Sequence, residues 1–277
     1  MVERRRGGSE KAERPRGPIR IGTAGWSIPR AVATQFPGEG THLERYARVM
    51  NCAEINSSFH RPHAAAVYAK WAASTPASFQ FSVKLPRTIT HDARLKGCRP
   101  LLDRFLEQVA GLGARLGPLL VQVPPSLELQ IRQARTFFTL LRSRHEGAVV
   151  CEPRHESWFT PAGERLLGDF RIGRVAADPS RYASAKQPAA WGTSGAVPGV
   201  VYYRLHGSPR KYWSRYPPAR IASWAAQILE WSAKGCAAWC IFDNTASGAA
   251  LENALEVLLS ASPSEAGAVG GQRRRMT

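Results

Sequence analysis

Ionisable side chains follow directly on a short apolar segment in the middle of the chain. Residues 148–155 read AVVCEPRH, so Glu152, Arg154 and His155 stand where a buried strand would normally end in turn residues. A carboxylate, a guanidinium and an imidazole together offer a proton acceptor, an anion-binding fork and a group that titrates near neutral pH. This combination is typical of a binding or catalytic pocket, provided that the fold brings the strand end to a cleft.

Polar side chains end most of the other apolar segments as well. Eight such runs occur, at residues 19–25, 52–59, 79–86, 118–124, 148–155, 172–178, 200–207 and 237–244. Their last positions carry Glu54, Asn56, Lys84, Gln122, Glu152, Arg154, Asp178, Arg204, His206, Asp243 and Asn244. Because residues two apart share one face of a strand, Glu54 and Asn56 are expected to point the same way, as are Arg204 and His206. His155 lies on the opposite face from Glu152 and Arg154, so it is expected at the rim of the barrel or against the surrounding helices.

Segments of helical period lie between these runs, at residues 41–50, 62–75, 101–117, 127–146, 161–170, 218–235 and 247–260. Strands that alternate with helices predict a parallel sheet, and eight units over residues 19–260 predict a (β/α)8 barrel of the TIM type. Residues 181–199 have no helical period, so the sixth helix is expected to be short or replaced by a loop. The alternative is an open doubly wound sheet, but IGTAGWS lacks the G-x-G-x-x-G fingerprint of that fold.

In a parallel barrel all strand C-termini emerge on one face, which is where barrel enzymes hold their active sites. We therefore predict a pocket at this mouth, with Glu54 or Glu152 as the general base and His206 as the general acid or an electrophilic hydrogen-bond donor. The predicted substrate-binding residues are Asn56, Lys84, Gln122, Arg154, His155, Asp178, Arg204, Asp243, Asn244 and Thr245. The alternative interpretation is a structural network, in which buried charges only neutralise one another.

Two loops support a ligand at this face. Residues 208–218 read SPRKYWSRYPP, a mixture of cationic and aromatic side chains that suits a lid over an anionic or aromatic ligand. Thr245 lies just before the last helix, where free backbone N–H groups can hold a phosphate, although ordinary helix capping explains the same residue.

The composition indicates the kind of partner, the domain organisation and the cellular compartment. The 277 residues carry a net charge of +17, which favours anionic substrates or polyanions. A single barrel domain is predicted over residues 19–262, flanked by disordered basic tails at residues 1–18 and 263–277. No apolar stretch is long enough for a membrane span, and the N-terminus lacks the apolar segment of a secretory signal. Five cysteines in or near apolar runs are expected to be reduced, which indicates a cytoplasmic protein.

Seven motifs resemble, in the same order, those of the family called domain of unknown function 72, also described as YecE-like. They are IGTAGW, EINSSFHRP, FSVKLPRTITH, LGPLLVQVPPS, EPRHESW, YYRLHG and IFDNTASGAA, and the resemblance covers about residues 19–258. It implies a cytosolic TIM-type barrel of bacteria or archaea, and it supplies no reaction. It also adds His91 to the polar positions named above. The chain departs from the family pattern at His60, where Tyr is usual, and at Asp243, where Asn is usual.

Three functional hypotheses stay open at this point. The first is an enzyme, either hydrolase, lyase or isomerase, that needs no cofactor and performs acid–base chemistry on an anionic substrate. The second is metal-assisted phosphoester or sugar chemistry, with a divalent ion held by Glu54, Glu152, Asp178 and His206. The third is a module without enzymatic activity that binds nucleic acid or a protein partner. The sequence leaves the oligomeric state open.

Overall fold

The computed structural model describes residues 15–190 and 199–261. The strands are β1 Ile19–Ala24, β2 Cys52–Ile55, β3 Gln80–Lys84, β4 Leu116–Gln122, β5 Val149–Glu152, β6 Gly173–Arg174, β7 Ala176–Asp178, β8 Val200–Leu205 and β9 Ala237–Phe242. The α-helices are α1 His42–Ala47, α2 Ala65–Ala73, α3 Arg99–Val109, α4 Ile131–Arg142, α5 Pro161–Asp169, α6 Pro218–Ala233 and α7 Ala249–Ala261.

The strands form one parallel sheet that curls back on itself. Its order is β6-β5-β4-β3-β2-β1-β9-β8-β7, so each strand except those at the two ends pairs with both neighbours. The two ends, β6 and β7, are consecutive parts of one stretch of chain, separated only by Val175. The sheet is therefore a nearly closed barrel of eight strand positions with helices between them. This confirms the predicted (β/α)8 architecture.

The sixth strand position differs from the single run predicted at residues 172–178. It is divided after Arg174, whose backbone makes an antiparallel bridge with Ala189 through hydrogen bonds of 2.8 and 3.2 Å. The Arg174 side chain points away from the barrel axis and donates to Glu164 and to the carbonyl of Ser184. The chain still pairs with β5 at this break, because Val175 N–H donates to Cys151 O at 2.8 Å.

The connection after β7 has the predicted form. In its described part, up to residue 190, the helical segment is a four-residue 3-10 turn at Ala183–Lys186. Residues 191–198 lie outside the described residues. Within residues 179–190, this 3-10 turn is thus the helical segment that covers the barrel after β7.

The described chain begins close to the barrel. Gly17 N–H donates to Ser232 O at 2.8 Å, and Ala238 N–H donates to Pro18 O at 2.9 Å. Residues 1–14 of the predicted N-terminal tail, the whole predicted C-terminal tail at residues 263–277, and residue 262 lie outside the described residues. Over residues 15–190 and 199–261, no helix is long and apolar enough to cross a membrane.

Apolar side chains fill two separate layers. A large core lies between the sheet and the helices, and a small one lies inside the barrel. The interior cluster consists of Cys52, Leu120, Val150, Val175, Tyr202, Trp239 and Ile241. Because alternate residues share a face, the next inward position on most of these strands is the polar residue near the strand end. The apolar layer therefore forms the floor beneath the polar mouth.

Gly22 is required where β1 meets β2. It lies opposite Cys52, and an added Cβ would stand 2.1 Å from Cys52 O. We expect Gly22→Ala to lower the free energy of unfolding by about 1–3 kcal/mol, because the two strands must separate. Gly168→Ala is the matched control, since an added Cβ meets nothing within 4 Å there. Urea denaturation of both variants checks this expectation, and equal stabilities would contradict it.

Candidate active site at the mouth of the barrel

Arg204 lies at the centre of a buried ion-pair cluster. Its Nε donates to Glu54 Oε2 at 2.9 Å and its Nη2 donates to Glu54 Oε1 at 2.6 Å. Its Nη1 donates to Glu152 Oε2 at 3.0 Å, and Nη2 lies 3.1 Å from Asp243 Oδ2. The side chains of Arg204 and Glu54 are 1% and 0% exposed. Because a buried unpaired charge is costly, this guanidinium is what allows three carboxylates to share the interior.

Glu54 has both carboxylate oxygens engaged. Besides the two bonds from Arg204, its Oε2 accepts a hydrogen bond from Tyr202 Oη at 3.0 Å. Tyr202 in turn lies 2.6 Å from Ser82 Oγ, which holds the phenol in place. Sequence reasoning missed Tyr202 as a member of the site, although its position two residues before Arg204 was a usable signal.

Glu152 joins three cationic or titratable groups. Its Oε1 accepts from Arg154 Nε at 2.8 Å and lies 3.5 Å from His206 Nε2, while Oε2 accepts from Arg204. Burial alone raises the pKa of this carboxyl, but Arg154, Arg204 and His206 together hold the pKa well below its ordinary value. Glu152 is therefore ionised over the whole neutral range, and it is a weak base.

His206 and Asp243 form a buried pair. His206 Nδ1 lies 2.9 Å from Asp243 Oδ2. Burial raises the pKa of Asp243, but Arg204 and His206 outweigh that effect and keep the pKa below its ordinary value. An ionised Asp243 accepts the Nδ1 proton, which leaves His206 Nε2 to exchange a proton. That Nε2 is buried and has no hydrogen-bond partner among the described residues.

Lys84 occupies the opposite side of the mouth at the end of β3. Its Nζ lies 3.8 Å from the centroid of the Phe59 ring, a cation–π contact. Burial and the charge of Arg204 lower the pKa of Lys84 to about 8. Burial and Lys84 in turn lower the pKa of His91 to about 4, so that this imidazole is neutral.

A cavity of about 540 Å³ opens beside the ion-pair cluster. Its charged or titratable lining residues are Glu152, Arg154, Arg181, His206 and Lys211, and its other walls include Pro125, Pro153, Pro179 and Tyr182. Three cationic groups thus face a carboxylate that Arg154 and Arg204 already neutralise. Burial and the neighbouring Arg154 lower the pKa of Lys211, because both disfavour the charged ammonium form.

Backbone hydrogen bonds hold the loop after β8 beside this cavity. Tyr212 N–H donates to His206 O at 2.5 Å, and Tyr212 O accepts from Ala246 N–H at 3.0 Å. Tyr212 holds a left-handed backbone with φ of 65°, which is strained for a bulky residue, and its ring lies 5.5 Å from His206. This conformation fixes the adjacent Lys211 at the cavity wall.

Four of the predicted binding residues lie away from the cavity. Asp178 faces outward, since Val175 and Ala177 take the inward positions, and its Oδ2 accepts from Arg220 at 2.8 Å. Asn244 also faces outward and donates to Asn253 and to Ser214 O. His155 bonds Ser157 at the rim, as its position in the strand predicts, and Thr245 is exposed beside α7 in a separate small cavity with Ser27.

Two further predicted residues stay near the mouth without a partner that defines their role. Gln122 is buried and lies beside Glu152 in the β4–β5 register. Asn56 is half-buried, and its Oδ1 has no hydrogen-bond partner among the described residues. Within the described ranges, no group of three or more His, Cys, Asp or Glu side chains is arranged to hold a metal ion. The carboxylates of the mouth are instead occupied by arginines.

A family model described as protein of unknown function DUF72 matches residues 20–273. The chain belongs to the DUF72 family. This confirms the resemblance drawn from the motifs. YecE of Escherichia coli K12, a UPF0759 protein, is 36% identical over 176 residues, which cover 61% of this chain and 62% of that relative. The chain thus spans less than two thirds of that relative's length. YunF of Bacillus subtilis, also a UPF0759 protein, is 21% identical over 271 residues, covering 87% and 93% of the two chains.

Two solved DUF72 structures share the barrel. A protein from Enterococcus faecalis V583 aligns with a TM-score of 0.70 at 20% identity, covering 88% of this chain and 95% of its own. One from Thermotoga maritima MSB8 aligns with a TM-score of 0.70 at 21% identity, covering 87% and 98%. At such identities the likeness shows the fold alone. The chemistry of this DUF72 protein must therefore be argued from its own residues.

Proposed function

We propose that the barrel mouth is an active site that binds a small phosphate- or carboxylate-bearing substrate and transfers protons through His206. The observation that supports it most is the cavity of about 540 Å³ in which Arg154, Arg181 and Lys211 converge beside His206 Nε2, whose described polar neighbour is Glu152 Oε1 at 3.5 Å. Guanidinium and ammonium groups are the natural partners of such anions. The imidazole of His206, which can accept or donate a proton at Nε2, lies next to them.

His206 suits proton transfer better than either glutamate. Glu54 has its carboxylate engaged by Arg204 and Tyr202, and the pKa of Glu152 is held well below its ordinary value. A proton acceptor works best when its pKa is close to the working pH, which Glu152 does not satisfy. In this proposal Asp243 is a positioning residue that orients His206, and the glutamates hold Arg204 beneath the cavity.

The reaction class stays as broad as the sequence left it, a hydrolase, lyase or isomerase. Metal-assisted chemistry has no observation in its favour among the described residues, because the carboxylates of the mouth are paired with arginines. Nucleic-acid binding is the remaining alternative, and the overall charge of +17 is compatible with it. The proposal includes a cytoplasmic location, since all five cysteines are free and buried.

A ligand panel with two matched variants tests the proposal. Thermal stabilisation of the full chain would be measured against phosphorylated metabolites, small carboxylates and oligonucleotides. We expect one class of small anion to stabilise the wild type, and Lys211→Ala to weaken its binding by about 10–100-fold, the effect of losing one charge-assisted hydrogen bond. Arg215→Ala is the control, because Arg215 lies in the same loop but pairs with Glu252 and Glu256 on α7.

The opposite pattern would overturn the proposal. Stabilisation by oligonucleotides only, reduced equally in Lys211→Ala and Arg215→Ala and abolished by salt, would indicate a diffuse basic surface rather than a pocket. In that case the cavity beside His206 would have no part in binding.

A further inference from the structure

Among the buried charged side chains of the mouth that the structure describes, Lys84 is the one without an ionic partner. Its side chain is 6% exposed, yet none of the ion pairs within 4.0 Å among the described residues includes it. The nearby carboxylates are taken by Arg204, Arg154 and His206. A buried lysine that serves only to balance charge would be expected to pair with a carboxylate.

The neighbours of Lys84 position its amine, but none of the contacts described below is a hydrogen bond to Nζ. Its Nζ lies 3.8 Å from the centroid of Phe59, and Phe59 lies 4.9 Å from the His91 ring. The Lys84 backbone carbonyl accepts from Ser58 Oγ at 2.7 Å, which fixes the end of β3 against the turn that carries Phe59. His91 bonds Thr90 instead of the amine.

The amine is also available as a free base. With a pKa of about 8, about one tenth of Lys84 is unprotonated at pH 7, against well under a thousandth for an exposed lysine. A lysine amine whose pKa is lowered by burial and a neighbouring cation is the nucleophile that forms Schiff bases with carbonyl compounds.

We propose that Lys84 forms a Schiff base with an anionic aldehyde or ketone, whose phosphate or carboxylate is held by Arg154 and Lys211. This rests on the anion site of the proposed function. Lys84 does not line the cavity itself, but it is close enough to its wall to feel the charge of Glu152, whose carboxylate contacts Arg154 at 2.7 Å.

The reaction is balanced without a further reactant. Nζ adds to the carbonyl carbon, and the C=O bond becomes a C–OH bond. The hydroxyl then leaves as water with a proton from the medium while nitrogen gives up its own proton, so that amine and carbonyl yield imine and one water. Protonation of the imine gives an iminium ion, which withdraws electrons from the adjacent C–H or C–C bond. Hydrolysis by water restores Lys84.

Reductive trapping tests the inference on the full chain. The protein would be incubated at pH 8 with cyanoborohydride and either pyruvate or glyceraldehyde 3-phosphate, and adducts would be mapped by peptide mass spectrometry. We expect Lys84 to be labelled at least about tenfold more than the exposed Lys234, which pairs with Glu230. Acetone and glyceraldehyde, the uncharged counterparts, should label Lys84 far less.

Variants and competition separate this inference from the proposed function. Lys84→Arg should abolish the specific adduct, whereas Lys234→Arg should leave it unchanged. Labelling of Lys211 or Lys234 at the level of Lys84 in the wild type would overturn the inference, whether or not the variants fold. Thermal stabilisation by the anionic probes without an adduct at Lys84 would overturn the Schiff base and leave the anion site standing. Absence of both would reject the two proposals together.

Discussion

Replacing Arg204 by Ala is expected to lower the free energy of unfolding by about 3–5 kcal/mol, the usual effect of breaking a buried ion pair from one side. The variant leaves Glu54, Glu152 and Asp243 in the barrel interior without the cation they share. Urea denaturation at pH 7 measures the loss. Arg215→Ala is the control, because its ion pairs are more than half exposed on the arginine side and surface pairs contribute about 0–1 kcal/mol.

The pH dependence of that loss identifies its cause. In the wild type the pKa values of Glu152 and Asp243 lie below their ordinary 4.5 and 3.8, so their stabilisation is present at neutral pH and disappears as the pH falls through the folded-state values. In Arg204→Ala the same carboxyls stay buried and lose one of their cations, so their pKa values rise, although Arg154 still pairs with Glu152 and His206 with Asp243. The variant should therefore gain stability from pH 7 to pH 4, and the difference from wild type should shrink. A difference that is constant over this range would contradict the account.

Replacing His206 by Asn is expected to lower kcat by about 10²–10⁴-fold, the range attributed to one general acid–base group. The assay would use the anion identified by the ligand panel. Asn keeps a donor for Asp243 Oδ2 but lacks an atom equivalent to Nε2, which lies at the cavity. KM should change far less than kcat, whereas Lys211→Ala should mainly raise KM.

Asp243 provides a matched test of positioning. Asp243→Asn removes the charge that His206 Nδ1 faces, so it should reduce kcat less than His206→Asn and shift the pH profile of kcat. A kcat for His206→Asn within about threefold of wild type would show that proton transfer does not pass through this imidazole. The ion-pair cluster would then have only the structural role considered from the sequence.

The fold and the centre of the site could be predicted because they depend on local periodicity. Alternation along a strand places Glu54, Lys84, Glu152 and Arg204 on inward faces, and parallel pairing brings their strand ends together. The same reasoning requires knowing which face is inward. Asp178 was assigned to the site because it ends a strand, but the inward residues of that strand are Val175 and Ala177.

The pairing within the site could not be predicted, since it depends on distances across the barrel. Arg204 bonds Glu54 from 150 positions away, and nothing in the sequence distinguishes a glutamate that takes this guanidinium from one that is free to act as a base. The place of Lys211 depends likewise on the left-handed backbone of Tyr212. Sequence alone therefore indicated which strand ends meet at the mouth more reliably than how their side chains pair.

The most direct test of an anion site at the mouth is a crystal soaked in tungstate, a heavy analogue of phosphate, with data collected at the tungsten absorption edge. We expect an anomalous peak within hydrogen-bonding distance of Arg154, Lys211 and His206 Nε2. The surface offers a competing position, a groove of about 590 Å³ between α3 and α4 that contains Arg99, Arg132 and Arg135. Tungstate bound in that groove or elsewhere on the surface, with none at the mouth, would contradict the account.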